Sequence, residues 1–96
     1  MTYQVFIEST ANPDTLDSLM NFLEENLPNV RSFKGCLKVS ILFDSETHQM
    51  LFEEEWITKE NHQAYMQSIE ENGILGALSE HLLGMPKISY YQKLDI

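Results

Sequence analysis

The sequence predicts an α+β domain with the order β-α-β-β-α-(α)-β, and three observations carry that prediction. Four short stretches alternate apolar and polar or apolar and apolar residues with the period of two that a strand requires. Two longer stretches place apolar residues at i, i+3, i+4 and i+7, the stripe of a helix packed on one side. Asn12–Pro13, Pro28, Gly35, Asn72–Gly73, Gly84 and Pro86 punctuate the chain between these stretches.

The first strand is read at Tyr3–Glu8, where Tyr3, Val5 and Ile7 alternate with Gln4, Phe6 and Glu8, so both faces are partly apolar. Asn12 followed by Pro13 opens a helix, because an Asn side chain caps free N–H groups and proline at the first position has no N–H to leave unpaired. Leu16, Leu19, Met20, Leu23 and Leu27 form its stripe, and Pro28 is expected to end it before a connector, Asn29–Lys34. Gly35 precedes a strand at Cys36–Phe43 with Leu37, Val39, Ile41 and Phe43 on one face. The polar run Asp44–Gln49 makes a turn that leaves His48 in solvent, and a strand at Met50–Ile57 completes a hairpin.

That third strand and the helix after it are the centre of the chain. Met50, Phe52, Glu54 and Trp56 share the bulkier face of the strand, opposite Leu51, Glu53, Glu55 and Ile57. Thr58 caps a helix from Lys59, along which His62, Tyr65, Met66 and Ile69 share the inward stripe. A carboxyl group, an indole, an imidazole and a phenol are thereby brought to one layer between strand and helix. Asn72–Gly73 breaks the pattern, a short helix is read at Ile74–Leu83, Gly84 and Pro86 close it, and Lys87–Leu94 is the last strand.

At 96 residues, 43% hydrophobic and 22% charged, the chain is ordinary globular material for one domain, 1–96. The net charge of −9 works against nucleic acid and against an anionic membrane surface, both of which attract clustered Lys and Arg. One cysteine, Cys36, cannot form an internal disulfide, and the first ten residues lack the pattern of a secretory leader, so a cytoplasmic protein is expected. No His and Cys spacing suggests a metal, and no Gly-rich loop suggests a nucleotide, so no cofactor is expected.

The order of elements is the ferredoxin-like plan, four antiparallel strands with the main helices on one face. Strands apolar on both faces do not leave the other face to water, and a second copy of the sheet across a two-fold axis is the expected cover, a homodimer.

Phe33-Lys34-Gly35-Cys36-Leu37 before the second strand, Phe52-Glu53-Glu54-Glu55-Trp56 in the third, the Lys59–Ser68 helix and the Gly76–Tyr91 ending together resemble the antibiotic biosynthesis monooxygenase family. The resemblance implies a dimeric α+β barrel and a small enzyme that oxidises quinols or polycyclic phenols with O2, without metal or flavin, in a pocket between sheet and helices. Tyr65 stands where many members have a histidine, nine residues after the tryptophan, and the chain's own histidine is His62. Tyr3–Glu8 also lacks the first-strand asparagine of the haem-degrading branch.

Two functional readings follow. In the first, a monooxygenase, His62 or Glu54 removes a phenolic proton, and Trp56, Tyr65, Met66 and Phe52 contact the aromatic substrate. In the second, a non-catalytic dimer binds a small apolar ligand, and the same residues are packing. Trp56 then fills volume, His62 is a hydrogen-bonded core group, and Glu53, Glu54 and Glu55 are edge charge.

Overall fold

The computed structural model describes residues 1–96. Strands β1 (Tyr3–Ala11), β2 (Cys36–Phe43), β3 (Gln49–Trp56) and β4 (Leu82–Tyr91) form one antiparallel sheet in the order β2-β3-β1-β4. Helices α1 (Leu16–Arg31), α2 (Lys59–Glu71) and the short α3 (Ile74–Ser79) complete the expected order, with a 3-10 turn at Pro13–Thr15 leading into α1. This is the ferredoxin-like plan. No helix is long and apolar enough to cross a membrane.

Register sorts the residues into rows across the sheet. On the helix side they run Cys36–Trp56–Tyr3, then Val39–Glu54–Val5–Tyr90, then Ile41–Phe52–Ile7–Ile88, then Phe43–Met50–Ser9. On the other side Ser40–Glu53–Phe6–Ser89 and Leu42–Leu51–Glu8–Lys87 lie side by side. Val5, Val30, Val39 and Trp56 form one core cluster, and Ala11, Leu19, Leu23 and Met50 a second.

Four expectations are corrected. Pro28 does not end α1, which runs on to Arg31. A proline inside a helix loses a hydrogen bond and costs about 3 kcal/mol. Here the last turn is held from outside, by Val30 buried on Trp56 and by Arg31 Nη2 donating to the Val39 carbonyl at 3.1 Å. Leu37 does not share the inner face of β2. The register slips between Cys36 and Lys38, so Leu37 is the extra residue, 51% exposed, and Cys36 turns inward against the core.

The third correction concerns the C-terminal third. The short helix stops at Ser79, and Leu82 and Leu83 already pair with Ala11 and Thr10 in β4. Gly84 and Pro86 lie within the strand, which ends at Tyr91. Glu8 pairs with Lys87 and Thr10 with Leu83, so Gly84, Met85 and Pro86 stand opposite the single residue Ser9. Gly84 has φ +83°, a bulge conformation, and Pro86 two residues on is tolerated because the ladder is already broken there. Fourth, His48 is half-buried with its ring on Phe43, at a positive φ of 63°.

Candidate active site

Trp56, Glu54, His62 and Tyr65 do converge, and local sequence explains why. Thr58 Oγ1 accepts from the Asn61 N–H at 3.0 Å and donates to Asn61 Oδ1 at 2.7 Å, so α2 starts within two residues of β3. Gly35, at φ +90°, accepts from the Ile57 N–H at 2.8 Å, and a side chain on it would run into Asn61. The strand's last residue and the helix's first turn are therefore clamped together. The His62–Ile69 stripe then faces the Phe52–Trp56 stripe at close range.

Glu54 is 5% exposed, its backbone flanked across the sheet by Val39 and Val5, both core residues. Its Oε1 accepts one strong hydrogen bond, from Trp56 Nε1–H at 2.8 Å. Burial raises its pKa, and the indole bond lowers it in part. His62 Nε2 lies 3.7 Å from the same Oε1, beyond hydrogen-bond length, and His62 is wholly buried. Burial pushes its pKa down to about 4, so the imidazole is neutral at neutral pH and the two side chains are no ion pair there. Its other nitrogen, Nδ1, is 2.7 Å from the Tyr90 hydroxyl.

The imidazole proton has one favourable place. Oε1 presents lone pairs to Nε2 whether Glu54 is ionised or not, because the indole N–H already points at that oxygen. The proton therefore belongs on Nε2, and the Tyr90 O–H donates to the bare Nδ1. The aromatic rings around this group stack edge to face in sequence: Phe33 on Tyr65, Trp56 on His62, His62 on Tyr90. Tyr65 is held at about 12 by burial and by the nearby Glu54 and Cys36, so its phenol stays a hydrogen-bond donor. Burial and the Glu54 charge likewise raise Cys36 and Tyr90.

An apolar cavity of about 70 Å³ opens beside this group, between the sheet and all three helices. Phe52, Glu54, Tyr65 and Met66 line it, with Ile7 and Ile88 along its floor and Leu75 and Leu78 of α3 along its side. Glu54 is its one ionisable carboxyl group. Trp56 and His62 do not line it. The indole N–H is spent on Glu54, so Trp56 holds the carboxyl group from behind, with His62 edge-on against the indole. No three His, Cys, Asp or Glu side chains cluster closely enough to hold a metal ion.

Two residues at this site escaped the sequence. Tyr90 is on the expected inner face of the last strand, but nothing in spacing says that the strand lies beside β1, under His62. Ser9 lines the cavity and was missed because the first strand was ended at Glu8. Continuing the alternation of Tyr3, Val5 and Ile7 through Ser9 to Ala11 would have found it.

The fold has many relatives among solved structures. A conserved protein from Methanosarcina mazei superposes with a TM-score of 0.86 at 20% identity, covering 98% of this chain and 94% of that one. Rv0793 from Mycobacterium tuberculosis gives 0.83 at 14% identity, covering 100% and 98%. An antibiotic biosynthesis monooxygenase gives 0.84 at 14% identity, covering 96% and 98%. No protein of curated function matches the chain. At such identities the superpositions show the fold alone. Residues 2–72, which carry β1 through α2 and so the whole Glu54, Trp56 and His62 group, match the model of one family: the chain belongs to the antibiotic biosynthesis monooxygenase family.

Proposed function

We propose that the protein is a monooxygenase that oxidises a small quinol or phenolic aromatic with O2 in the cavity between sheet and helices, Glu54 acting as its base. The observation that carries this reading is the carboxyl group itself: buried, ionisable, facing an apolar cavity, and held by a single hydrogen bond. Such a carboxyl has a raised proton affinity, which suits it to take a phenolic proton. His62 Nε2, 3.7 Å away, turns toward Oε1 of this carboxyl. Tyr65, still protonated, donates to the phenolate oxygen. Phe52 and Met66 hold the ring, and Trp56 holds Glu54.

The chemistry balances without an outside reductant. A phenol with a free para position loses its O–H proton, and the electron-rich anion forms a C–O bond with O2 at the para carbon. The O–O bond then breaks as the para C–H hydrogen leaves. One oxygen atom becomes the quinone carbonyl and the other departs as water. The phenol supplies the four electrons and both hydrogens of that water, one from its O–H, returned by Glu54, and one from the para carbon.

At about 70 Å³ the cavity is about half the size of an engineered cavity of about 150 Å³ that takes benzene, so substrate must displace part of the wall. One side of that wall is α3, six residues entered through Gly73 at φ +85°, none of them fully buried.

We further propose a homodimer through the outer sheet face, supported by Phe6, Leu42, Leu51 and Tyr91 on that face, with Phe6 stacked edge-on against Tyr91 at 5.6 Å. The binding reading is favoured by Tyr65, which stands nine residues after Trp56, where a histidine would supply a second base. Oxygen uptake by the purified protein with a panel of quinols and polycyclic phenols separates the two. Uptake with quinone formed in equal amount supports the enzyme. Tight ligand binding with no uptake across the panel supports the binding protein, and Tyr65→His is then expected to create activity.

A further inference from the structure

Ser9 is 8% exposed, its Oγ is buried, and that oxygen has no hydrogen-bond partner in the protein. Leaving a buried hydroxyl unpaired costs free energy, and a serine in a central strand is easily replaced by alanine or valine without that cost. Its side chain is on the helix side of the sheet and lines the cavity. The strand next to it is bulged at that level, Gly84 to Pro86 facing Ser9 alone, and Pro86 lines the same cavity. Neither main-chain nor side-chain groups of β4 reach the hydroxyl.

The rows of the sheet place Ser9 relative to Glu54. Glu54 lies opposite Val5 and Ser9 is four residues further along β1, which at about 3.3 Å per residue is about 13 Å. Between them runs the wholly apolar row Ile41–Phe52–Ile7–Ile88. The floor of the cavity is thus polar at Glu54, apolar in the middle and polar again at Ser9. A molecule that bonds at both ends must lie across that apolar row and carry a polar atom at each end.

We propose that Ser9 is a ligand-binding residue, so that the cavity takes a two-ring aromatic with one hydroxyl presented to Glu54 and a second hydroxyl or carbonyl at its far end bonded to Ser9 Oγ. This inference rests on the cavity being the substrate site proposed above, and it narrows that site from phenols in general to those polar at both ends. A phenol polar at one end leaves Ser9 unpaired and binds more weakly for that reason.

The matched probes are 2,6-dihydroxynaphthalene, which carries a hydroxyl at each end, and 2-naphthol, which lacks the second one. Binding is measured under nitrogen by calorimetry on the full chain, wild type and Ser9→Ala, so that turnover plays no part. The wild type binds the diol about tenfold more tightly than 2-naphthol, and Ser9→Ala brings the two within about twofold by weakening the diol alone. Thermal unfolding of the free Ser9→Ala protein is expected to be no lower than wild type, since an unpaired hydroxyl is removed. Equal affinities in the wild type, a preference that survives Ser9→Ala, or binding of neither probe overturns the proposal. Oxygen uptake is followed separately: a Ser9-dependent preference without uptake overturns the enzyme and leaves the anchor standing, and uptake without that preference does the reverse.

Discussion

The buried imidazole gives the fold a specific weakness in acid, and its size follows from the structure. His62 has an ordinary pKa of 6.5 once unfolded and about 4 when buried against Trp56 and Tyr90. The native state therefore binds fewer protons than the unfolded state between these values. Stability from this group is complete above pH 6.5 and is lost as pH falls toward 4. The full difference, at about 1.4 kcal/mol per unit, is about 3 kcal/mol, of which about 2 kcal/mol has gone by pH 5. For a domain of this length that is a fall in Tm of roughly 8–16 °C between pH 8 and pH 5. Glu54 titrates in the opposite sense, since its raised pKa makes the folded protein the better proton binder as pH falls. His62→Gln removes the imidazole term and keeps the carboxyl one. Urea unfolding of wild type and His62→Gln at pH 8, 7, 6 and 5 isolates it: the wild type should lose about 2 kcal/mol more than the variant over that span. Parallel curves for the two proteins would refute the neutral, desolvated histidine.

Other consequences are as direct. Trp56→Phe keeps most of the ring volume but removes the one strong donor to Glu54, and it should cost about 2 kcal/mol in urea unfolding at pH 8 and raise the carboxyl pKa further, seen by carbon-13 NMR titration. Gly35→Ala forces a side chain into Asn61 at a φ that L residues avoid, and should lower stability by more than about 1 kcal/mol in the same assay. Phe6→Glu places a charge at the centre of the outer sheet face beside Glu53, and should convert the proposed dimer to monomer by light scattering while leaving the circular dichroism spectrum unchanged.

Much of this was readable because the residues that build it obey local rules. The alternation in Met50–Trp56 and the 3.6 period from His62 to Ile69 are set by core contacts on one face, so they show in the sequence. The Thr58 cap is a local side-chain bond and shows equally. What was not readable depends on contacts distant in sequence. Pro28 inside α1 is a stop signal that Val30 and Arg31 override through their contacts with Trp56 and Val39. Gly84 and Pro86 punctuate in the sequence but serve as a bulge, because β1 supplies a partner for Leu82 and Leu83. That Trp56 and His62 stand off the cavity wall was not readable for the same reason. The strand and helix periods show that both point inward and not which of the inward residues meets the cavity, and here Glu54 lines it and they do not.

The claim on which the rest depends is that Glu54 takes the substrate's proton. The most direct test is oxygen uptake by Glu54→Gln on any phenol that the wild type oxidises, with anaerobic binding of that phenol measured beside it. Gln keeps an oxygen for the indole N–H but cannot accept a proton, so uptake should fall by at least about 100-fold while affinity stays within a few-fold. Wild-type rates in Glu54→Gln would contradict the assignment and remove the base from the cavity.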